Sequence, residues 1–115
     1  MNTRCSPREL VGIILRRSRA SVRVGAVIWD RRGVFAWGWN HEHQGKGLCA
    51  ERHAILRANS RRLHGAIINV EGRRKKSERF VFAKPCVYCE GFARNRGIKI
   101  IEYRTKSGEW ERIYL

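Results

Sequence analysis

The chain is short of acidic residues and has no long apolar run. Lys and Arg total 25 against 10 Asp and Glu, a formal net charge of +15, which favours partners that carry phosphate, either a nucleotide or a polymer. No stretch reaches the roughly 18 apolar residues of a membrane span, and the first residues lack the apolar core of a signal peptide. We therefore expect no membrane partner and a cytoplasmic location.

Internal repeats and low-complexity segments are also lacking, and a hydrophobic content of 43% argues against disorder. A length of 115 residues suits one domain over 1–115 with no second module. Residue patterns predict the order α, β-β, α, β-β, α, β-β. This order predicts an α/β fold in which helices lie on a sheet of about five or more strands.

The expected elements follow from capping residues, periodicity and turn residues. The expected helices span 7–17, 49 to about 60, and 86–95, and the expected strands span 22–29, 34–39, 66–70, 79–83, 98–103 and 110–114. We expect residues 40–48 to form a loop. Phe35, Trp37 and Trp39 alternate along one strand, which predicts a shared face in the core, although such rings also stack on nucleobases.

Cysteine usage is the most informative pattern in the chain. Three of the four cysteines fall in the segments Cys49-Ala50-Glu51 and Pro85-Cys86-Val87-Tyr88-Cys89. Both segments lie at predicted helix starts, where free N–H groups and the helix dipole favour thiolates. In a reducing cytosol a C-x-x-C indicates metal binding or redox chemistry. We expect Zn²⁺ held by three thiolates, with a water at the fourth position, and the ligands are Cys49, Cys86 and Cys89.

A carboxylate stands beside this predicted metal site. Glu51 lies two residues from the first ligand, where it can take and return the proton of a water whose pKa the metal lowers. Two other interpretations stay open. His53, one turn from Cys49, would complete a purely structural zinc site, and a redox C-x-x-C would leave Cys49-Ala50-Glu51 unexplained. Cys5 lies outside any ligand spacing.

These segments resemble the zinc-dependent cytidine and nucleic-acid deaminases, in the variant whose zinc ligands are all cysteine. Residues 49–55, C-A-E-R-H-A-I, are similar to the C-A-E-R-T-A-I of small homo-oligomeric cytidine deaminases. That resemblance implies that Arg52 offsets the negative charge of the thiolates. The G-W-N at 38–40 resembles the segment before the zinc helix in these enzymes, which implies that Asn40 binds ribose, and Glu42 fits the G-x-N-x-E of the cytidine enzymes.

The second half of the chain resembles a different branch of the same superfamily. Residues 84–89 and 96–101 are similar to the cytidylate and tRNA deaminases, in which a strand returns parallel to its predecessor. Together the matches span about 24–103. They imply a cytidine deaminase-like three-layer fold, a homodimer or homotetramer, and hydrolytic conversion of cytosine to uracil in a nucleoside or nucleotide. They also imply that the backbone N–H of Ala50 donates to the base carbonyl.

Basic clusters leave two further hypotheses open. The run Arg73, Arg74, Lys75 and Lys76, with other arginine pairs, would suit a cytosine deaminase that acts on single-stranded DNA or RNA, although each cluster alone also fits a solvated face. A non-catalytic zinc-containing module that binds nucleic acid is the third hypothesis. The sequence leaves open ribose against deoxyribose, and cytosine against adenine. His41 and His43 precede the zinc helix and fit either a substrate contact or a polar loop.

Overall fold

The computed structural model describes residues 6–43 and 45–115, so the expectation for Cys5 lies outside the described residues. The helices are α1 (Pro7–Ile14), followed by a 3₁₀ turn (Leu15–Arg17), then α2 (Ala50–Arg57), α3 (Ser60–Leu63) and α4 (Val87–Asn95). The strands are β1 (Val22–Asp30), β2 (Gly33–Trp39), β3 (His41–His43), β4 (Lys46–Leu48), β5 (Ile67–Arg74), β6 (Phe80–Val81), β7 (Ile100–Arg104) and β8 (Trp110–Tyr114).

The strands build one mixed sheet and one small hairpin. The six-stranded sheet has the order β2-β1-β5-β7-β8, with β6 paired to β5. Strands β5 and β7 are parallel, whereas β1–β2, β1–β5 and β7–β8 are antiparallel. The expected parallel return after α4 is therefore present. Strands β3 and β4 form the separate hairpin.

Helices cover both faces of this sheet, and two glycines let them approach. A Cβ on Gly25 would lie 2.8 Å from the Val11 carbonyl oxygen in α1, and a Cβ on Gly38 would lie 2.4 Å from the Ala54 nitrogen in α2. Because both neighbours are backbone atoms, neither strand can carry a side chain there without moving a helix. Ala54 and Ala93 bring α2 and α4 into one core cluster on the face opposite α1. The layers are α1, the sheet, and α2 with α4.

Local signals located most of these elements. The predicted capping box is present, since the Ser6 hydroxyl accepts from the Glu9 N–H at 3.1 Å and the Ser6 N–H donates to the Glu9 carboxylate at 2.9 Å. Gly97 follows α4 with φ of 85°, as a helix terminator requires. The second helix is broken rather than continuous, because Asn59 starts α3 by accepting from the Arg61 N–H.

Two sequence expectations were wrong in detail. Residues 41–48 contain the β3–β4 hairpin rather than an unstructured loop. The strand partner of β1 shifts register between Ile28 and Trp29, so Phe35 is an extra residue in a β-bulge. Phe35 consequently packs with the α2 cluster, whereas Trp37 and Trp39 pack with the α1 cluster. The expected shared face holds only for the two tryptophans.

A buried carboxylate in β7 links α1 to strands β5 and β8. Glu102 is 2% exposed and accepts from Arg8 at 2.9 Å, from Arg112 at 2.9 Å and from the Asn69 amide at 2.7 Å. Asn69 in turn accepts from the Trp29 indole N–H at 2.6 Å. Two guanidiniums and one amide compensate the buried negative charge of Glu102, so the network stabilises the packing of α1 on the sheet.

Across the described ranges, no helix has the length and apolar character that crossing a bilayer would require.

Candidate active site

Cysteines begin two neighbouring helices. Cys49 is the N-cap of α2 and Cys86 is the N-cap of α4, with extended backbone at both positions. The Cys86 sulfur accepts from the Cys89 backbone N–H at 3.5 Å. The Cys89 thiol is hydrogen-bonded to Cys49 and also contacts Cys86. The three sulfurs predicted as ligands therefore lie together, with Cys89 buried in the middle.

Hydrogen bonding divides the charge unevenly among these thiols. The Cys89 thiol donates to Cys49 and the Arg52 guanidinium lies beside it, which together hold the pKa of Cys49 down to about 5. The pKa of Cys89 is raised well above its ordinary value, because its proton is held by Cys49 and its environment is buried. Of this pair, Cys49 is the sulfur that favours the thiolate form.

The sulfur set fits Zn²⁺ in donor chemistry. Within residues 6–43 and 45–115, no three His, Cys, Asp or Glu side chains stand in the geometry of a metal site. Three soft sulfur donors, two of them at helix N-termini, are the donors that Zn²⁺ prefers.

Glu51 provides a buried acid next to the sulfurs. It lies in the first turn of α2 and is 6% exposed. Burial raises the pKa of Glu51 to about 7, and the nearby Cys49 charge adds to the effect. A carboxyl in this position exchanges a proton near neutral pH, as general acid–base work requires.

Arg52 stands over Cys49 rather than in solvent. Its guanidinium donates to the Cys49 sulfur at 3.9 Å and lies 5.1 Å from the Tyr88 ring centroid. The buried Arg52 Nε has no hydrogen-bond partner within the described residues. Arg52 therefore lies beside the Cys49 sulfur, and nothing in the sequence pattern indicated its contact with Tyr88.

His53 is engaged with β2. Its Nδ1 accepts from the Trp39 backbone N–H at 3.1 Å, and its ring meets the Trp39 ring edge-on at 4.6 Å between centroids. His41 lies 4.4 Å from His53, centroid to centroid. The interpretation of His53 as a fourth zinc ligand therefore gains no support from its Nδ1.

An open cavity of about 880 Å³ lies beside Cys49. Its wall combines the end of β2, the β3–β4 hairpin and the segment that joins α1 to β1. The described lining residues are Arg17, Arg19, Ala20, Trp39, Asn40, His41, Glu42, Gly47, Leu48 and Cys49. Glu51 is not among them; it is buried in the first turn of α2, two residues after Cys49.

The predicted substrate contacts occupy different positions around this cavity. Asn40 lines it, but its side-chain oxygen accepts from the Val24 N–H at 2.8 Å and its amide donates to the Val22 carbonyl at 2.9 Å. Glu42 lines it from β3 and is exposed. Ala50 is the buried first residue of α2.

The basic run at 73–76 begins at the end of β5, where Arg74 pairs with Val22 of β1. The run lies near the cavity because the residues just before β1 line the cavity wall. The Lys75 N–H donates to the Ser21 carbonyl at 2.8 Å, and Ser21 follows Ala20 in the cavity wall. Arg74, Lys75 and Lys76 are exposed. Arg73 instead donates to the buried Glu71 at 2.8 Å, which leaves it less available to a phosphate.

Sequence reasoning did not assign Arg17, Arg19 or Ala20 to the site. They precede β1, whereas Asn40 follows β2, and an antiparallel pair brings those two ends together. The predicted hairpin therefore contained the signal. That signal is the set of residues that flank the open end of the hairpin.

Comparisons with known proteins bear on the family and the fold of the chain. A family model described as "Cytidine and deoxycytidylate deaminase zinc-binding region" matches residues 11–105. The chain is similar in structure to a cytidine deaminase from Burkholderia pseudomallei, with a TM-score of 0.71 and 23% identity over 92% of this chain and 87% of that one. No curated protein sequence matches the chain significantly.

Two other solved structures have the same architecture. The apo dCMP deaminase of the cyanophage S-TIM5 gives a TM-score of 0.67 at 20% identity, covering 85% of this chain and 79% of that one. A cytidine deaminase from Mycobacterium leprae gives 0.59 at 17% identity, covering 91% and 88%. These neighbours confirm the expected α/β fold with a mixed sheet. Because the family model matches residues 11–105, most of the chain, the chain belongs to the cytidine and deoxycytidylate deaminase family.

Proposed function

We propose that the chain is a zinc-dependent hydrolytic deaminase that converts cytosine to uracil in a cytidine or deoxycytidine nucleoside or nucleotide. One observation carries the proposal beyond family membership. A buried carboxyl, Glu51, lies beside Cys49 and Cys89, and Cys49 is in the wall of an open cavity. A purely structural metal site has no need of a buried acid at that point.

Cys49, Cys86 and Cys89 would hold the metal. When bound, Zn²⁺ acts as a Lewis acid that makes water nucleophilic near neutral pH. Arg52, already hydrogen-bonded to the Cys49 sulfur, offsets the negative charge that three thiolates bring to the cluster. Their placement at helix N-termini lowers the cost of that charge further.

Glu51 carries the proton transfers. Its carboxylate takes a proton from the attacking water and delivers it to N3 of the ring as the new C4–O bond forms. It then takes the proton of the C4 hydroxyl and gives it to the amino group, so that the C4–N bond breaks, ammonia departs and C4 becomes the carbonyl carbon of uracil. Burial keeps competing water from the carboxyl. The backbone N–H of Ala50, at the start of the same helix, donates to the base carbonyl.

Sugar recognition falls to the wall contributed by β2 and β3. Asn40 keeps one amide hydrogen and one oxygen lone pair after its two backbone bonds to β1, and these face the ribose together with Glu42. We extend the proposal to one deaminase domain over 1–115, a homodimer or homotetramer, and a cytoplasmic location.

A second candidate function is deamination of cytosine in single-stranded DNA or RNA. The exposed residues Arg74, Lys75 and Lys76 favour it, because their turn is hydrogen-bonded to Ser21, the residue after Ala20 in the cavity wall. A strand that enters the cavity would meet this turn. The third hypothesis, a zinc module that only binds nucleic acid, leaves the buried Glu51 without a role.

The test is a substrate panel. Zinc-loaded protein is incubated with cytidine, deoxycytidine, their monophosphates and an oligonucleotide that contains cytosine, and the products are separated by chromatography. Matched adenine compounds serve as controls for base specificity. Uracil formed from at least one cytosine substrate, and abolished by removal of zinc, supports the proposal. Binding of the oligonucleotide without any uracil would instead support the non-catalytic module.

A further inference from the structure

The cavity beside Cys49 has a basic mouth that deamination of a neutral nucleoside does not use. Arg17 and Arg19 contribute to its wall, and both residues are exposed. Glu42 is the one carboxylate among the described lining residues. Arg52 offsets the charge of the Cys49 thiolate, so two guanidiniums against one carboxylate give the mouth a positive potential that attracts anions.

The segment that carries these arginines is held in place by Ser18, which lies between them, and by Leu15, which precedes them. Leu15 is 1% exposed and Ser18 is 2% exposed. The Ser18 N–H donates to the Leu15 carbonyl at 3.0 Å, and the Ser18 hydroxyl accepts from the Ala20 N–H at 3.2 Å. The backbone of Arg17 and Arg19 is therefore already ordered, so a ligand that contacts them causes little loss of conformational entropy there.

Arg17 is also oriented by an aromatic ring. Its guanidinium carbon lies 5.3 Å from the Trp39 ring centroid, and Arg57 lies 5.4 Å from the same centroid. A guanidinium over a ring keeps its N–H groups in its own plane, where they remain available to an anion. Trp39 is itself a wall residue of the cavity.

The charge of both arginines is left uncompensated by the fold. Elsewhere in the described part of the chain, seven arginines pair with carboxylates: Arg8, Arg16, Arg62, Arg73, Arg94, Arg104 and Arg112. Arg17 and Arg19 form no such ion pair within the described residues. In a chain of net charge +15, unpaired cations at a cavity mouth repel one another until an anion binds.

We propose that Arg17 and Arg19 bind a phosphate group of the substrate, so that the chain acts on a phosphorylated cytosine nucleotide in preference to the free nucleoside. This inference rests on the proposed function. Guanidinium and phosphate form bidentate, charge-assisted hydrogen bonds, and a cavity of about 880 Å³ is within the range of small-molecule sites. The phosphate of a mononucleotide and the phosphodiester of a single strand offer the same chemistry.

The experiment compares two double variants that remove the same charge. Arg17→Gln with Arg19→Gln alters the mouth, whereas Arg31→Gln with Arg32→Gln alters the exposed turn between β1 and β2, at the other end of that hairpin. For each protein, kcat/KM is measured with cytidine, deoxycytidine, CMP, dCMP and an oligonucleotide that carries one cytosine and no terminal phosphate. Binding of UMP and uridine, the corresponding products, is measured by calorimetry.

We expect phosphate to improve kcat/KM in the wild type by about 10- to 100-fold, the size of a charge-assisted contact. The mouth variant loses that advantage, mainly through KM, while its nucleoside kcat/KM stays within about threefold, and the turn variant behaves as wild type. UMP likewise binds about tenfold or more tightly than uridine, and only the mouth variant loses the difference. If the oligonucleotide alone shows the effect, the phosphate is that of a polymer.

Other results separate the two proposals. If nucleosides and nucleotides are deaminated equally well and the mouth variant matches wild type, the phosphate inference is overturned and the deaminase proposal stands. If no cytosine compound is deaminated, the deaminase proposal fails and the calorimetry decides alone. In that case a preference for UMP that the mouth variant loses supports phosphate binding, and equal binding of UMP and uridine overturns it.

Discussion

Gly38→Ala tests whether the close approach of α2 to β2 positions the site. A Cβ at this position would lie 2.4 Å from the Ala54 nitrogen and 2.8 Å from the Ala50 carbonyl oxygen. Ordinary contact begins near 3.4 Å, so α2 must move away from β2 by about 1 Å, and such a gap forfeits up to about half of each dispersion contact. The helix that moves carries Glu51 and follows Cys49.

The expected cost is about 3 kcal/mol in the free energy of unfolding, the upper end of the usual range for an overpacked core. Denaturant unfolding followed by circular dichroism measures it, at one fixed zinc concentration because bound metal adds stability. Zinc content per chain after dialysis reports whether Cys49, Cys86 and Cys89 can still bind the metal together, and we expect the zinc content to fall.

Gly91→Ala is the matched control. Gly91 lies inside α4, and a Cβ there would meet no atom within 4 Å. Removing a glycine from a helix interior stabilises the helix by about 0.5 to 1 kcal/mol, so this variant should gain stability and keep its zinc. A Gly38→Ala protein within about 0.5 kcal/mol of wild type, with full zinc content, would refute the packing argument.

Three further predictions concern charge. The hydrogen bonds from Arg8 are the main cause that lowers the pKa of Glu102 from 4.5 to about 2. Ionised Glu102 therefore stabilises the fold above pH 4.5, and the free energy of unfolding should fall by on the order of 2 to 3 kcal/mol as the pH falls from about 4.5 to 2. In a Glu102→Gln variant this pH dependence should be flatter. Arg52→Ala should weaken zinc retention in a chelator competition, and equal retention would refute charge balance. Replacing residues 73–76 by alanine should flatten the salt dependence of oligonucleotide binding, in which the log of the binding constant falls against the log of salt concentration with a slope of about −0.7 per phosphate contacted. Binding too weak to measure at about 0.15 M salt would exclude a polymer substrate.

The elements that sequence reasoning predicted well are those with strong local signals. The strand at Trp110–Tyr114 has the predicted bounds, and α4 ends at Asn95, just before the terminating glycine at 97. The sequence also singled out the three cysteines as one group, because ligand chemistry restricts which residue types and spacings can hold a metal; their role as zinc ligands stays a prediction.

The remaining features depend on contacts distant in the sequence. The bulge at Phe35 arises from pairing with Ile28 and Trp29 in another strand, and no signal in the β2 segment marks it. Helix α2 ends early because Asn59 can cap a new helix, a competition between two local choices. Arg17 and Arg19 join the cavity only because β1 and β2 are antiparallel.

Glu51→Gln is the most direct test of the central claim. The amide keeps the shape of the side chain but cannot accept the proton, so the account predicts unchanged zinc content and a fold like that of wild type. It also predicts that uracil formation from the best cytosine substrate, followed by chromatography, falls by at least about 10² to 10⁴-fold. A Glu51→Gln protein that forms uracil within about tenfold of the wild-type rate, a barrier change near 1.4 kcal/mol, would contradict the account.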